Sequence, residues 1–303
     1  MKKFLIYTAL FLVLAVAYDA MLGYALEKMS GHARSGQALK NLEVAETAAP
    51  DILILGSSRA SHHYVPDNIE RALGGSAYVA GQDGNGIVMM DPLLHIISAR
   101  HKPSTVIYDI TPAFDIHDDD PHRYLPYLRM LWHKNNFTDS LIGEIDPTEP
   151  YKMQSKLFRY NSSPLLLAKG IVSKTNDFDR GYVPLYGVLD TTLLPASNAK
   201  ETVHQTSELK FKLFREMISY CRKNDIRLYF AVSPQYNASD EWDPTLTSLI
   251  EDLDITVLDF HNHPAFSTPD YFSDEAHLNH TGATVYTDSV MARITASEGK
   301  TRN

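Results

Sequence analysis

DILILGSS, residues 51–58, is a continuous apolar run that ends in a glycine and two serines. An apolar run without polar alternation is typical of a strand buried on both faces of a parallel sheet. Similar runs predict four further strands, at 76–80, 105–110, 226–232 and 255–260. The sequence therefore indicates a sheet whose first strand leads into a polar turn.

Helical patterns separate the predicted strands. They cover residues 67–73, 88–100, 207–223 and 281–294, and the third is the clearest because apolar residues recur at every fourth position. Strands that alternate with helices form a parallel sheet covered by helices on both faces. The sequence predicts a three-layer α/β/α domain.

Composition excludes several classes of protein. The 303 residues carry 28 Lys and Arg against 37 Asp and Glu, a formal net charge of -9, so nucleic acid is not expected as a partner. Cys221 is the single cysteine, so it cannot form an internal disulfide or, alone, a thiolate zinc site. No cofactor is expected.

The N-terminus is predicted to be a membrane anchor. Lys2 and Lys3 precede the apolar segment 4–26, which is interrupted only by Asp19. At about 1.5 Å per residue, a helix of this length spans a bilayer core of roughly 30 Å. With the lysines held in the cytoplasm, residues 4–26 lie in the inner membrane and the domain faces the periplasm or cell exterior. The alternative is a signal peptide cleaved after the A-x-A site at 15–17.

The remaining chain is predicted to form one main domain. After an anchor at 1–27, the polar segment 28–50 indicates a stalk, and the domain occupies 51–303. Residues 115–204 are too long for a crossover and carry many aromatic side chains, so we expect an insertion with its own helices. It serves either as a lid or substrate surface, or as auxiliary core packing.

Three polar residues indicate acyl-transfer chemistry. Ser58 lies in a turn beyond the carboxyl end of the first strand, where open parallel sheets bind ligands. Asp274 and His277 are three residues apart before the last helix, so the carboxylate can orient the imidazole toward a serine. We predict Ser58 as nucleophile, His277 as general base and Asp274 as the orienting acid.

Other interpretations of these residues stay open. Ser58 can be a structural turn serine, and Asp274 a helix cap beside a surface histidine. A metal site is a further alternative, using nitrogen and oxygen ligands from His261, His263, Asp274, His277 and His280. His62 and His63, which follow the serine turn, are expected on the surface of the first helix.

The serine turn, a glycine-bearing loop after the second strand and the D-x-x-H-L-N motif at 274–279 together resemble the SGNH/GDSL hydrolase superfamily. The sequence is most similar to its membrane-anchored branch, which includes the teichoic-acid D-alanyl transfer protein and alginate-type polysaccharide O-acetyltransferases. The resemblance implies a flavodoxin-like α/β/α sandwich. It also implies that Ser58 is the nucleophile and gives one oxyanion-hole N–H.

The resemblance implies a second oxyanion donor at Gly81, which could equally be a turn glycine with positive φ. The family's third block should supply Gly-x-Asn. This chain instead has Thr111-Pro112-Ala113-Phe114-Asp115. The oxyanion hole is therefore expected to have two donors, or to use Asn85 as a further donor. The departure fits the transferase branch better than efficient hydrolysis.

The predicted function is an exported serine acyltransferase that acts on acetyl or other small acyl groups of envelope or secreted glycans. Its partners would be an acylated glycan or small ester, and an integral-membrane acyltransferase that supplies the acyl group. One alternative is an esterase that uses water as the acceptor. Another is an inactive carbohydrate-binding or scaffold relative that keeps the fold.

Overall fold

The computed structural model describes residues 1–173, 177–194, 204–238 and 243–301. The chain forms two compact units. The larger contains Ala48–Asp120 and Asp177–Asn303, and the smaller contains Met1–Thr47 and Pro121–Asn176. The predicted insertion 115–204 is thus divided between them, and its residues 174–176 and 195–203 lie outside the described ranges.

The α-helices are numbered in chain order. They are α1 (Lys2–Ser30), α2 (Gly36–Leu42), α3 (Ser58–His63), α4 (Pro66–Leu73), α5 (Ile87–Arg100), α6 (Pro112–Asp115), α7 (Leu125–Leu128), α8 (Asn136–Ile145), α9 (Glu149–Lys152), α10 (Lys156–Arg159), α11 (Pro164–Val172), α12 (Glu208–Lys223), α13 (Pro244–Leu253) and α14 (His280–Thr301).

The larger unit contains a parallel sheet of five strands. They are β1 (Ile52–Gly56), β2 (Ala77–Val79), β3 (Thr105–Asp109), β4 (Arg227–Val232) and β5 (Val257–Asp259). Their order is β2-β1-β3-β4-β5, the flavodoxin-like arrangement. Gly56 pairs with Asp109, and Asp109 with Ala231, so three central strands end at the same edge.

Alternate side chains of the sheet pack into two helical layers. Ile52, Ile54 and Ile107 belong to a buried cluster with residues of α4 and α14. Tyr108, which points to the opposite face, has its ring 5.2 Å from that of Phe214 in α12. Helices therefore cover both faces of the parallel sheet, and the predicted three-layer α/β/α fold is confirmed.

The smaller unit contains α1, α2 and α7–α11. Its buried cluster is formed by Leu26, Ala33, Ala38 and Leu167. The helix α1, 29 residues long, has the length and the apolar composition needed to cross a membrane. Most of the predicted stalk belongs to this unit, where it contains α2 and a π-helical turn at Glu43–Thr47.

Candidate active site

The turn after β1 gives two neighbouring serines different environments. Gly56 has a φ of 138°, and a Cβ at this position would lie 2.5 Å from a main-chain oxygen of β3, so glycine is required. Ser57 is buried, with its Oγ 2.7 Å from Oγ1 of Thr111. Ser58 begins α3 and is half-buried, and its Oγ lies 2.8 Å from Nε2 of His277. Ser58 is therefore the serine that contacts a base.

Asp274 holds the imidazole of His277. Nδ1 of His277 is 2.9 Å from both carboxylate oxygens. The carboxylate also accepts the main-chain N–H groups of Ala276 at 2.8 Å and His277 at 2.9 Å. An ionised carboxylate only accepts hydrogen bonds, so we assign the proton of the neutral imidazole to Nδ1. This leaves the Nε2 lone pair directed at the hydroxyl of Ser58.

The charge of Asp274 suits a residue that orients the imidazole of His277. Burial raises the pKa of its carboxyl, but hydrogen bonds from His277 and Ala276 outweigh burial and hold the pKa below its ordinary value of 3.8. A carboxylate that stays ionised can stabilise the imidazolium that forms when His277 takes a proton. Ser58, His277 and Asp274 thus lie together, in the order that a serine–histidine–aspartate triad requires.

His62 and His63 are buried, and the expectation that they lie on the surface is wrong. The ring of His63 packs 6.1 Å from that of Tyr286 in α14, whereas Nδ1 of His62 lies 2.7 Å from the main-chain oxygen of Val183. Both imidazole rings meet that of His277 edge to face, with centroid distances of 5.5 Å from His62 and 6.2 Å from His63. Nε2 of His63 accepts the main-chain N–H of Leu278 at 3.0 Å. Burial and the neighbouring His277 lower the pKa of His63 well below 6.5, which keeps it neutral.

Gly81 lies close to the start of α3. A Cβ on Gly81 would lie 2.6 Å from that of Ala60 and 2.7 Å from the main-chain nitrogen of Ser61. Its φ is outside the left-handed region, so the alternative of a turn glycine with positive φ is wrong, and close packing requires glycine here. No described residue accepts a hydrogen bond from the Gly81 N–H. Gly81 and the first N–H of α3, at Ser58, are therefore candidate oxyanion donors.

Asn85 braces the loop in which it lies. Its side-chain amide donates to the main-chain oxygen of Asp83 at 3.3 Å, and its own N–H donates to that of Gln82 at 3.1 Å. The side chain is buried. A role for Asn85 as an extra oxyanion donor stays a prediction.

The loop after β3 is organised by Asp115. This buried carboxylate accepts the hydroxyl of Tyr108 at 2.6 Å and the main-chain N–H groups of Thr111 at 2.7 Å and Ile87 at 2.8 Å. Burial raises its pKa to about 7, against the opposing effect of these hydrogen bonds. Asp115 thus holds the loop after β3 in a conformation that places Thr111 against Ser57.

Two buried charges near the triad were not assigned a role by the sequence. Arg59 is buried, and its Nη2 donates to Oε1 of Gln235 at 2.9 Å. Asp109, at the end of β3, accepts hydrogen bonds from three hydroxyls, those of Tyr64, Ser233 and Tyr286. Burial raises the pKa of Asp109, although these bonds and the charge of Arg59 oppose the rise. The only sequence signal for Asp109 is its place at the carboxyl end of a central strand.

The histidines of the metal-site alternative have separate partners. Nδ1 of His280 is 2.9 Å from the hydroxyl of Tyr182, and Nδ1 of His263 accepts the N–H of Ala265. In the described part of the chain, no group of three or more His, Cys, Asp or Glu residues is placed to hold a metal ion.

Residues 179–187, within the predicted insertion, contact both the part of the chain that follows Ser58 and the part that follows His277. We call them the 179–187 segment. Main-chain and side-chain hydrogen bonds of 2.7–2.9 Å connect this segment to Val79, Ser61, Asn279 and His280. Tyr186 in this segment is 75% exposed, and its ring centroid is 6.0 Å from that of His280. An aromatic ring is thus displayed beside the loop that carries the base.

Comparison with known proteins gives likenesses among solved structures. No family model matches this sequence, and no curated protein matches it. Among solved structures, the chain is similar to a Bacteroides fragilis NCTC 9343 protein that is proposed to be an acylhydrolase. The TM-score is 0.41 at 10% sequence identity, and the match covers 85% of this chain and 94% of that one. The functional interpretation therefore depends on the geometry of the site.

Proposed function

We propose that this protein is an exported, membrane-anchored serine acyltransferase of the SGNH type. It would move acetyl or another small acyl group to an envelope or secreted glycan. The observation that carries the proposal is the 2.8 Å contact between Oγ of Ser58 and Nε2 of His277, whose Nδ1 is held by Asp274.

The first half-reaction forms a serine ester. His277 takes the hydroxyl proton of Ser58 through Nε2 while Oγ bonds to the acyl carbon. The imidazolium then gives this proton to the leaving oxygen of the donor, and the bond between that oxygen and the acyl carbon breaks. The N–H groups of Ser58 and Gly81 are the proposed donors to the oxyanion, and loss of one such donor costs about 3 kcal/mol.

The second half-reaction releases the acyl group. A glycan hydroxyl gives its proton to His277 and attacks the ester carbon, and Oγ of Ser58 leaves with the proton from His277. Water can make the same attack, so transfer requires an acceptor bound beside the ester. Two features support transfer over hydrolysis: the absence of Gly-x-Asn after β3, and the exposed ring of Tyr186 near His280.

The helix α1 supports the proposed location. Lys2 and Lys3 precede its apolar segment, a charge pattern that favours a domain facing the periplasm or cell exterior. An integral-membrane acyltransferase in the same bilayer is the proposed source of the acyl group.

The test is a competition between water and a sugar for the acyl-enzyme. The full-length protein in detergent is given p-nitrophenyl acetate, with or without malto-, cello- or chito-oligosaccharides. We expect slow nitrophenol release, a faster release with a suitable oligosaccharide, and an acetylated sugar detected by mass spectrometry. The Ser58→Ala variant should give neither product.

Other results would change the proposal in defined ways. Rapid nitrophenol release that no oligosaccharide alters, with no acetylated sugar, would favour the esterase. Absence of release and of labelling at Ser58 by a fluorophosphonate would favour the inactive scaffold.

A further inference from the structure

Residues 272–278, which we call the base loop, carry Asp274 and His277 to the nucleophile. The loop is closed on itself, because the main-chain N–H of Ser273 donates to the main-chain oxygen of His277 at 2.8 Å. Its outer side faces solvent, where the side chain of Asp274 is 56% exposed. The position of His277 therefore depends on the contacts that the base loop makes with the rest of the larger unit.

Two connections hold the base loop, one on each side of His277. After His277, the main-chain N–H of Leu278 donates to His63, the last residue of α3. Before it, the main-chain oxygen of Glu275 accepts the N–H of Tyr236 at 3.0 Å. Tyr236 belongs to the loop after β4, so this second connection reaches α3 only if that loop is itself bonded to the helix.

Arg59 bonds the loop after β4 to α3. It is the second residue of α3, directly after Ser58, and its Nη2 donates to Oε1 of Gln235 at 2.9 Å. Gln235 precedes Tyr236, and its own N–H donates at 3.2 Å to the main-chain oxygen of His261, after β5. The helix that carries the nucleophile thus reaches the base loop through Arg59, Gln235 and Tyr236.

The environment of Arg59 is unusual for a residue that only stabilises the fold. The residue is 8% exposed, and within the described part of the chain Gln235 is its one hydrogen-bond partner and no ion pair is formed. Burial lowers the pKa of the guanidinium, and the negative charges of Asp109 and Asp274 oppose this effect. A buried cation with so few partners is costly. This cost indicates a role for Arg59 in the site.

We propose that Arg59 is a positioning residue for the pair formed by Ser58 and His277. Through Gln235 and Tyr236, it sets the base loop at hydrogen-bond distance from the nucleophile. Displacement of the imidazole lengthens the contact through which it takes the hydroxyl proton, and so slows formation of the serine ester. The proposal rests on the proposed function only for the roles of the nucleophile and the base, and it holds for a sugar or water as acceptor.

The test removes the hydrogen bond while the buried charge stays in place. Gln235 is half-buried, so it tolerates substitution better than Arg59. In Gln235→Met, which lacks the acceptor, we expect fluorophosphonate labelling of Ser58 to slow by about tenfold or more. For p-nitrophenyl acetate, kcat should fall by a similar factor and KM should change by less than about twofold. Gln235→Glu keeps an acceptor and should label within about threefold of the wild-type rate.

A double-mutant cycle separates positioning from a general loss of structure. Arg59→Met removes the donor, so adding Gln235→Met to it should slow labelling by no more than about twofold. The matched control is Asn68→Leu, because the amide of Asn68 in α4 donates at 2.7 Å to Asp288 in α14, another bond between two elements of the larger unit. We expect Asn68→Leu to lower the thermal midpoint without slowing the labelling.

Each outcome decides the proposal. Slow labelling of Gln235→Met, recovery in Gln235→Glu and a non-additive double variant support it. Wild-type labelling of Gln235→Met, no recovery in Gln235→Glu, or additive losses in the double variant overturn it. An equal loss in Asn68→Leu also overturns it, because labelling would then follow stability. An unlabelled wild type would remove the triad, and the proposal with it, so the two failures can be told apart.

Discussion

Ser57 and Thr111 are hydrogen-bonded across the ends of two neighbouring strands, with their hydroxyl oxygens 2.7 Å apart. Thr111 is itself fixed, because its main-chain N–H donates to Asp115 at 2.7 Å. This bond directs Ser57 into the protein interior and leaves Ser58 at the start of α3, opposite His277. The loop after β3 therefore distinguishes the two serines.

The first prediction separates these serines. Ser58→Ala should abolish labelling by a fluorophosphonate probe, because the probe needs a hydroxyl activated by His277. Ser57→Ala is the matched control and should still be labelled, with a loss of about 1 kcal/mol in unfolding free energy for the missing hydrogen bond. Loss of labelling in Ser57→Ala with labelling intact in Ser58→Ala would exchange the roles of the two residues.

The second prediction concerns Asp274. The substitution Asp274→Asn should preserve the thermal midpoint but lower turnover by about 10³- to 10⁴-fold, because the imidazole would lose its anionic partner and its correct tautomer. A chelator should leave wild-type turnover unchanged. If chelation abolishes turnover and Zn²⁺ restores it, while Ser58→Ala has no effect, the metal alternative would replace the triad.

The third prediction treats His63 as a positioning residue. His63→Phe keeps a ring of similar shape but leaves the buried N–H of Leu278 without an acceptor, which should cost about 1–3 kcal/mol of stability. Because Leu278 follows His277, we expect turnover to fall at least tenfold with little change in KM. His63→Gln retains an acceptor and should recover most of the turnover. Equal turnover in the Phe and Gln variants would show that the hydrogen bond between residue 63 and Leu278 does not affect turnover.

The fourth prediction concerns a buried carboxyl away from the triad. Asp91 of α5 is fully buried, and no described residue makes a hydrogen bond to either of its oxygens. Burial, with a smaller effect of Glu216, raises its pKa well above 3.8. The folded state thus binds a proton that the unfolded state has released, so the contribution of Asp91 to stability falls as pH rises above about 3.8.

Replacing Asp91 should therefore stabilise the protein more at high pH than at low pH. We expect Asp91→Leu to raise the thermal midpoint at pH 8 by more than it does at pH 4, since the variant needs no proton to fold. Asp91→Asn, the uncharged isostere, should remove the same pH dependence while keeping a buried polar group. A midpoint difference between wild type and Asp91→Leu that does not change with pH would contradict a raised pKa.

The fifth prediction places the acceptor beside Tyr186. Under the proposed function, Tyr186→Ala should lower acyl transfer to an oligosaccharide about tenfold, the ~1.4 kcal/mol expected for loss of one stacked ring. Fluorophosphonate labelling should not change. Tyr151→Ala is the control, because Tyr151 is 79% exposed but lies in the smaller unit. Equal effects of both substitutions on transfer would exclude a specific role for Tyr186.

The sheet could be predicted because its strands are buried on both faces. Such strands leave continuous apolar runs, and each of the five predicted runs contains an observed strand. The ends of the strands were predicted less accurately: β5 covers Val257–Asp259, where the sequence predicted a strand at 255–260. The last helix extends to Thr301 instead of ending near 294. The helix α13 was not predicted, because its pattern is short and follows a polar stretch.

The surroundings of the triad could not be predicted in the same way. His63 is buried against Tyr286 of α14, and His62 is buried beside Val183, which is 121 positions away in the chain. The hydroxyls around Asp109 likewise come from three distant segments. The grouping of 121–176 with the N-terminal segment is also non-local. Local spacing carries no information about such contacts.

Ser58 and His277 are 219 positions apart in the chain. His277 comes beside Ser58 only when the loop that precedes α14 has packed onto the sheet. If Ser58 is the nucleophile that we propose, a chain still leaving the ribosome carries it as an unactivated alcohol, without its base. Under the proposed function, such a partly folded chain would not react with the esters around it.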